Sequence, residues 1–156
     1  MEPPQPTGDV AAARQAGISL LARRDFASGE LRARLEQRGY HGPVAAVAVA
    51  ELLEQRVLND ARYAENYVSY HADRGQGPVR IAADLKALGL SSELVEASIA
   101  AGPDWQALAR EARLRKFGPA APSDWSEKAR QARFLQYRGF SSDHIRSALG
   151  ADFDLD

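Results

Sequence analysis

Apolar positions in this chain recur in the same order every fifty residues: segments 31–49, 81–99 and 131–149 align without a gap. In each segment a leucine precedes a glycine by four positions and an apolar residue follows the glycine. The three sets are Leu35, Gly39 and Tyr40, then Leu85, Gly89 and Leu90, then Leu135, Gly139 and Phe140. A glycine in the left-handed conformation just beyond a helix closes a Schellman cap and brings the two flanking apolar residues together. The spacing therefore predicts a helix that ends at each glycine.

Two further helices per repeat are predicted from capping residues. The helix after each glycine turn is expected to be capped by Gly42, Ser92 or Ser142, followed by Pro43, Glu93 or Asp143. Asp9 and Asn59, which also stand fifty residues apart, are predicted to cap the opening helices of the first two repeats, the first helix running to about Arg24. Asp124 and Glu127 have the spacing of a capping box in the third repeat.

The predicted helices indicate an all-α protein, because no stretch shows the sustained alternation of apolar and polar residues that is typical of a strand. Three tandem three-helix repeats, nine helices in all, are expected to form an elongated curved array and, since the repeats bury one another's faces, a monomer. The predicted divisions are a disordered N-terminus over 1–8, repeats over 9–57, 58–102 and 103–150, and an acidic tail over 151–156.

Charge is unevenly distributed along a chain whose net charge is only −1. Residues 105–146 hold nine lysines and arginines against four acidic residues, a net charge of +5. These cations are typical of a surface that follows a phosphate backbone, and equally typical of a solvated helix face with local ion pairs. Both interpretations stay open. The cations most suited to a continuous positive face are Arg113, Arg115, Lys116, Arg130, Arg133 and Arg138.

Residues that would carry catalysis or bind a metal are not grouped in this sequence. The three histidines lie far apart, and there is no phosphate-binding glycine loop and no nucleophile elbow. We therefore expect no enzyme, no metal and no cofactor. The absence of cysteine, of an apolar N-terminal signal and of a run long enough to cross a bilayer favours a cytoplasmic protein without a membrane anchor.

Tyr63, Tyr67 and Tyr70 recur at helical spacing in the second repeat. Aromatic side chains can stack on the bases of nucleic acids. Aromatic residues at this spacing more often belong to a hydrophobic core, which is the interpretation we favour.

Taken together, the motifs resemble the RecX family of bacterial regulatory proteins over about residues 10–149. The third repeat matches more loosely than the first two. The residues that carry the resemblance are Leu21, Arg24, Ser28, Glu30, Leu31 and Leu35 before Arg38-Gly39-Tyr40, then Leu58-Asn59-Asp60 with Arg62-Tyr63-Ala64, then Arg74, Gly77, Arg80-Ile81, Leu85 and Gly89-Leu90.

The resemblance implies a non-enzymatic modulator of the RecA recombinase that lies in the groove of the RecA filament on DNA. It implies suppression of ATP hydrolysis, strand exchange and co-protease activity, with the RecA filament and single- and double-stranded DNA as partners. It gives Arg24, Arg62, Arg74 and Arg80 as contact candidates, and charge alone adds Arg115, Lys116, Arg133 and Arg138, without dividing them between RecA and DNA. The alternative is a sequence-independent nucleic-acid-binding module that acts without RecA.

Overall fold

The computed structural model describes residues 9–150 of the chain. Over that range it contains nine α-helices and no strand, which confirms the all-α class. The predicted disordered N-terminus and acidic tail lie outside the described residues. The helices are α1 (Val10–Leu21), α2 (Ser28–Gln37), α3 (Gly42–Glu54), α4 (Asp60–Asp73), α5 (Pro78–Ala87), α6 (Ser92–Ala100), α7 (Trp105–Phe117), α8 (Trp125–Arg138) and α9 (Ser142–Leu149).

The repeated glycine ends α2, α5 and α8 as the spacing predicts. Gly39, Gly89 and Gly139 have φ of +100°, +93° and +98°. The amide after each glycine donates to the carbonyl oxygen of the repeat's leucine, over 3.2 Å from Tyr40 to Leu35, 3.3 Å from Leu90 to Leu85 and 3.1 Å from Phe140 to Leu135. Since all three leucines are fully buried, the cap joins each turn to the hydrophobic core.

The helices that follow these turns begin one residue earlier than predicted. Gly42, Ser92 and Ser142 are the first residues of their helices rather than the caps. The Oγ of Ser91 accepts from the Leu94 amide over 3.2 Å, and the Oγ of Ser141 accepts from the His144 amide over 3.3 Å. In the pairs Ser91-Ser92 and Ser141-Ser142 the first serine caps the helix, because its hydroxyl accepts from the otherwise unpaired amide three residues later.

The caps predicted for the opening helices are present. Asp9 accepts from the Ala12 amide over 3.2 Å, and Asn59 accepts from the Arg62 amide over 3.0 Å. The prediction for the end of α1 is wrong, since the helix stops at Leu21 instead of Arg24. The chain turns there to bury Phe26 and Ala27.

The capping box predicted at the start of α8 is only half present. Asp124 accepts from the Glu127 amide over 2.8 Å. The Glu127 carboxylate instead accepts from Arg130 over 2.9 Å and from Gln131 over 3.1 Å. Hydrogen bonds from Arg130 and then Gln131 lower the pKa of Glu127, so this carboxylate stays ionised and serves its own helix.

A distant side chain caps α2. The residue before this helix is Ala27, which has no side-chain acceptor, and the Asp60 carboxylate takes that place. It accepts from the Ser28 amide over 2.8 Å and from the Ser28 hydroxyl over 2.5 Å. A carboxylate at a helix N-terminus satisfies free amides and suits the helix dipole. The Asp60 side chain thereby ties the start of α4 to the start of α2.

The chain divides into two compact units, Met1–Ala64 with Leu85–Leu94 and Glu65–Asp84 with Val95–Asp156. In the first unit α1, α2 and α3 pack against one another around a core that includes Leu31, Leu35 and Leu52. In the second unit α7, α8 and α9 pack against one another around Leu135 and Ile145. The helices of the middle repeat contribute to both units, and the exact repeat boundaries stay a prediction.

In the second unit the start of α5 lies directly against the glycine turn that ends α8. The Gly77 amide donates to the Arg138 carbonyl oxygen and the Val79 amide donates to the Gly139 carbonyl oxygen, each over 2.8 Å. A Cβ at Gly77 would overlap the carbonyl group of Gly139. Backbones approach this closely only where a side chain is missing, so the glycines set how α5 meets α8.

Candidate functional site

A groove of about 480 Å³ opens in the second unit where the end of α4 meets α7 and the end of α8. Its floor includes Leu108, Ala112 and Phe134. Four cationic side chains line it, together with the carboxylates of Asp73 and Glu111. The cations are Arg74, Arg115, Lys116 and Arg138.

Helical spacing explains why these side chains point into one groove. On α7, residues 108, 111, 112, 115 and 116 line it, and they follow the i, i+3, i+4, i+7, i+8 order of a single helix face. On α8, Phe134 and Arg138 stand four residues apart and share a face in the same way. Arg74 comes from the turn after α4, so the groove exists only once three helices have packed.

Aromatic rings support the cations. The guanidinium carbon of Arg74 lies 3.4 Å from the ring centre of Tyr70, and that of Arg138 lies 5.2 Å from the ring centre of Phe134. Lys116 Nζ lies 5.8 Å from the same Phe134 ring. Cations are attracted to the faces of aromatic rings at these distances. The rings therefore hold positive charge at the groove wall without neutralising it.

Three of the four cations have no acidic partner among the described residues. Arg115 pairs with Glu111 over 3.1 Å, while within residues 9–150 no carboxylate forms an ion pair with Arg74, Lys116 or Arg138. With four cations against two carboxylates, the groove carries a net charge of +2.

Histidine adds nothing to this charge at neutral pH. Burial lowers the pKa of His71, whose ring contacts those of Tyr67 and Tyr70. The nearby Asp84 acts against this shift, and Arg74 and Arg80 act with it. The positive charge of the groove therefore comes from its arginine and lysine side chains.

Arg24 and Arg62 lie in the first unit and are engaged by carboxylates. Arg24 Nη2 lies 2.9 Å from Glu30 Oε2, and the same guanidinium stacks on Phe26 with 3.7 Å to the ring centre. Arg62 Nη2 lies 3.3 Å from Asp25 Oδ1. Burial, followed by the charge of Glu30, raises the pKa of the adjacent Tyr63. This cluster is close to electrically balanced.

Arg80 and Arg133 are exposed and do not line the groove. The Cβ of Arg80 packs against the backbone of Gly139, which is the residue after Arg138. Arg133 lies on the outer side of α8, on the same face as the 81% exposed Tyr137. The structure therefore brings together four of the eight residues predicted from the sequence.

The core interpretation of the tyrosines is wrong for Tyr70, which is 52% exposed and lies under Arg74. Tyr63 and Tyr67 are half-buried. The core positions of α4 are Ala64, Val68 and Ala72, which repeat every four residues beside the tyrosine stripe. Phe134 and Glu111 also line the groove and are not among the residues predicted from the sequence. The spacing of four residues from Phe134 to Arg138 and from Glu111 to Arg115 is the signal that could have indicated them.

The described part of the chain holds neither a metal-binding cluster nor a membrane-spanning helix. Across residues 9–150, no three or more histidine or acidic side chains are grouped so that they could hold a metal ion. No helix within this range is both long and apolar enough to span a bilayer.

The fold and groove define an all-α protein of tandem three-helix repeats with a cationic surface, and family comparisons identify the class. Three models match in chain order: RecX, first three-helix domain over 13–52, second over 59–99 and third over 104–149. The chain belongs to the RecX family.

Curated relatives match over nearly their whole length. The regulatory protein RecX of Pseudomonas fluorescens is 40% identical over 147 residues, 93% of this chain and 95% of the relative. That of Halorhodospira halophila is 40% identical over 141 residues, 90% of this chain and 88% of the relative.

Solved structures share the fold at low identity. The crystal structure of RecX from Lactobacillus salivarius aligns with a TM-score of 0.74 at 19% identity, covering 89% of this chain and 93% of that one. A second crystal structure of a regulatory protein RecX aligns with a TM-score of 0.76 at 17% identity, covering 89% of this chain and 70% of that one.

Proposed function

We propose that this protein regulates the RecA recombinase by binding the RecA filament on DNA and lowering its ATP hydrolysis, strand exchange and co-protease activity. The observation that carries the proposal is the 40% identity to a regulatory protein RecX over 93% of this chain and 95% of that relative. In this proposal the protein acts by binding rather than by catalysis, as a cytoplasmic monomer.

The groove of the second unit is the part of the molecule that we propose meets the filament. Its support is the excess of cations over carboxylates among its lining residues, since a DNA-bound filament presents phosphate charge. Arg80, beside Gly139, and the exposed Arg133 extend the positive surface of the same unit. Arg24 and Arg62 remain proposed contacts of the first unit, where their carboxylate partners would have to rearrange for them to bind an anion.

A second candidate function is nucleic-acid binding without RecA, which the same cation excess favours. The two functions differ in their response to salt. Binding to DNA alone falls steeply with ionic strength, by about 0.9 in the logarithmic slope for each duplex phosphate contacted. A complex that also contacts RecA keeps part of its affinity when phosphate contacts are screened.

We therefore expect this protein to stay bound to RecA filaments at a salt concentration that releases it from naked DNA. The measurement is co-sedimentation with RecA filaments assembled on single-stranded DNA, made across a salt series beside the same DNA without RecA. The control is RecA filament integrity, followed at each salt concentration. If release from filament and from naked DNA coincides while filaments persist, the function without RecA is the correct one.

A further inference from the structure

The structure separates the four predicted contact residues that line the groove from Arg24 and Arg62, which are paired with carboxylates. We infer that the groove group binds the phosphate backbone of single-stranded nucleic acid. This group is Arg74, Arg115, Lys116 and Arg138. The inference deepens the proposed function, on which it rests for the presence of DNA in the complex, and assigns these side chains to DNA rather than to RecA.

The charge balance separates the two groups. Arg24 and Arg62 each lie within 3.3 Å of a carboxylate oxygen, so a phosphate approaching them meets a negative partner already in place. In the groove, Arg115 alone of the four cations has such a partner in the described part of the chain. A phosphate in the groove gains three cations that pair with no carboxylate among residues 9–150, and these cations release counterions condensed on the nucleic acid.

The shape and lining of the groove favour a single strand over a duplex. The cations stand at the wall above an apolar floor that includes Leu108, Ala112 and Phe134. A flexible strand can lay its backbone along the wall and its sugars and bases against apolar or aromatic side chains. A duplex keeps its bases stacked inside and offers no such surface to the floor.

The cations are also held in position before any ligand arrives. Arg74 is stacked on Tyr70 at 3.4 Å and donates to the Tyr70 carbonyl oxygen over 3.3 Å. Lys116 and Arg138 both lie near the ring of Phe134, at 5.8 and 5.2 Å from its centre. Side chains ordered in this way lose less conformational entropy when they bind.

The first test measures the salt dependence of DNA binding without RecA. Labelled oligothymidylate is titrated with the full chain, with the Lys116→Gln and Arg138→Gln double variant, and with a control double variant, Arg110→Gln and Lys128→Gln. The control removes the same charge from the same two helices outside the groove. We expect the groove variant to lose about 0.7 in the logarithmic salt slope for each cation removed, and the control to keep the slope. Equal slopes for the groove variant and the full chain would overturn the inference.

The second test uses a variant that should bind single-stranded DNA more tightly than the full chain does. Glu111→Gln removes the one carboxylate within residues 9–150 that pairs with a groove cation, which frees Arg115 and raises the charge of the groove by one. We expect oligothymidylate to bind several-fold more tightly and with a steeper salt slope, an effect that loss of structure does not produce. Unchanged or weaker binding by a folded Glu111→Gln variant would contradict the inference.

Parallel assays of RecA separate this inference from the proposed function. If RecA ATP hydrolysis is suppressed but neither variant changes the DNA salt slope, the groove assignment fails and the proposed function stands. If the slopes change as expected but the full chain has no effect on RecA, the groove assignment stands and the proposed function fails.

Discussion

Gly139→Ala should lower the free energy of unfolding by about 3 kcal/mol, whereas Gly75→Ala should lower it by about 1 kcal/mol. Both glycines close a helix with positive φ, +98° and +85°, which costs an alanine roughly 1 to 2 kcal/mol. They differ in surroundings. A Cβ at Gly139 would overlap the Cβ of Arg80 and lie 2.9 Å from its amide nitrogen, while a Cβ at Gly75 would meet only Arg138 Nη1 at 3.8 Å. Overpacking against a backbone adds roughly 1 to 3 kcal/mol.

Urea denaturation of the full chain and both variants, followed by circular dichroism, measures this difference. Gly75→Ala is the matched control, because it tests the same type of turn without the close contact. Equal losses for the two variants would show that the approach of α5 to Gly139 does not contribute to stability. A Gly139→Ala variant as stable as the full chain would contradict the account of the repeat turn itself.

Reversing the charge of Lys116 and Arg138 to glutamate should weaken binding to RecA filaments on single-stranded DNA by on the order of 100-fold. Opposed like charges cost several kcal/mol at an interface, and about 1.4 kcal/mol corresponds to a tenfold change in affinity. Neither side chain is buried in the core, so helicity should be unchanged. The measurement is fluorescence anisotropy of labelled protein titrated with filaments at fixed salt.

The control for this prediction is the double variant Arg110→Glu and Lys128→Glu, which makes the same charge change on α7 and α8 away from the groove. It should bind filaments within a few-fold of the full chain. If both double variants weaken binding equally, net charge rather than the groove determines affinity. If neither does, the groove is not a contact surface.

The repeat turns could be predicted from sequence because their cause is local. A leucine, a glycine and an apolar residue at fixed spacing specify one capping motif, and in all three repeats the expected hydrogen bond from the residue after the glycine is present. The starts of the next helices were predicted one residue late because paired polar residues such as Ser91 and Ser92 offer two caps. Local rules do not decide between them.

The groove could be predicted only in part, because its residues meet through tertiary packing. Arg74 and Arg115 belong to different repeats, and no periodicity relates the turn after α4 to the face of α7. The distribution of charged residues along the sequence also does not reveal which cations are neutralised by a nearby carboxylate. Arg24 and Arg138 look equivalent as residues, yet Arg24 faces Glu30 at 2.9 Å and Arg138 faces the ring of Phe134.

The contact between Ser28 and Asp60 is a second feature that local sequence rules do not predict. Both residues belong to the motifs by which the sequence resembles its family, and each alone is unremarkable as a helix-terminal polar residue. The structure joins them through hydrogen bonds of 2.8 and 2.5 Å. An alanine at the N-cap of α2 leaves amides unsatisfied, but it does not say which distant carboxylate supplies the missing acceptor.

The most direct test of the account is ATP hydrolysis by RecA on single-stranded DNA, measured at fixed salt while this protein is titrated in. The account predicts that hydrolysis falls as the protein is added and that the Lys116→Glu and Arg138→Glu variant needs a far higher concentration for the same effect. A fall well below one protein per RecA would indicate an effect on filament growth or stability, and a fall near parity would indicate coating of the filament. Undiminished hydrolysis at every ratio, with DNA binding intact, would contradict regulation of RecA and leave a nucleic-acid-binding protein.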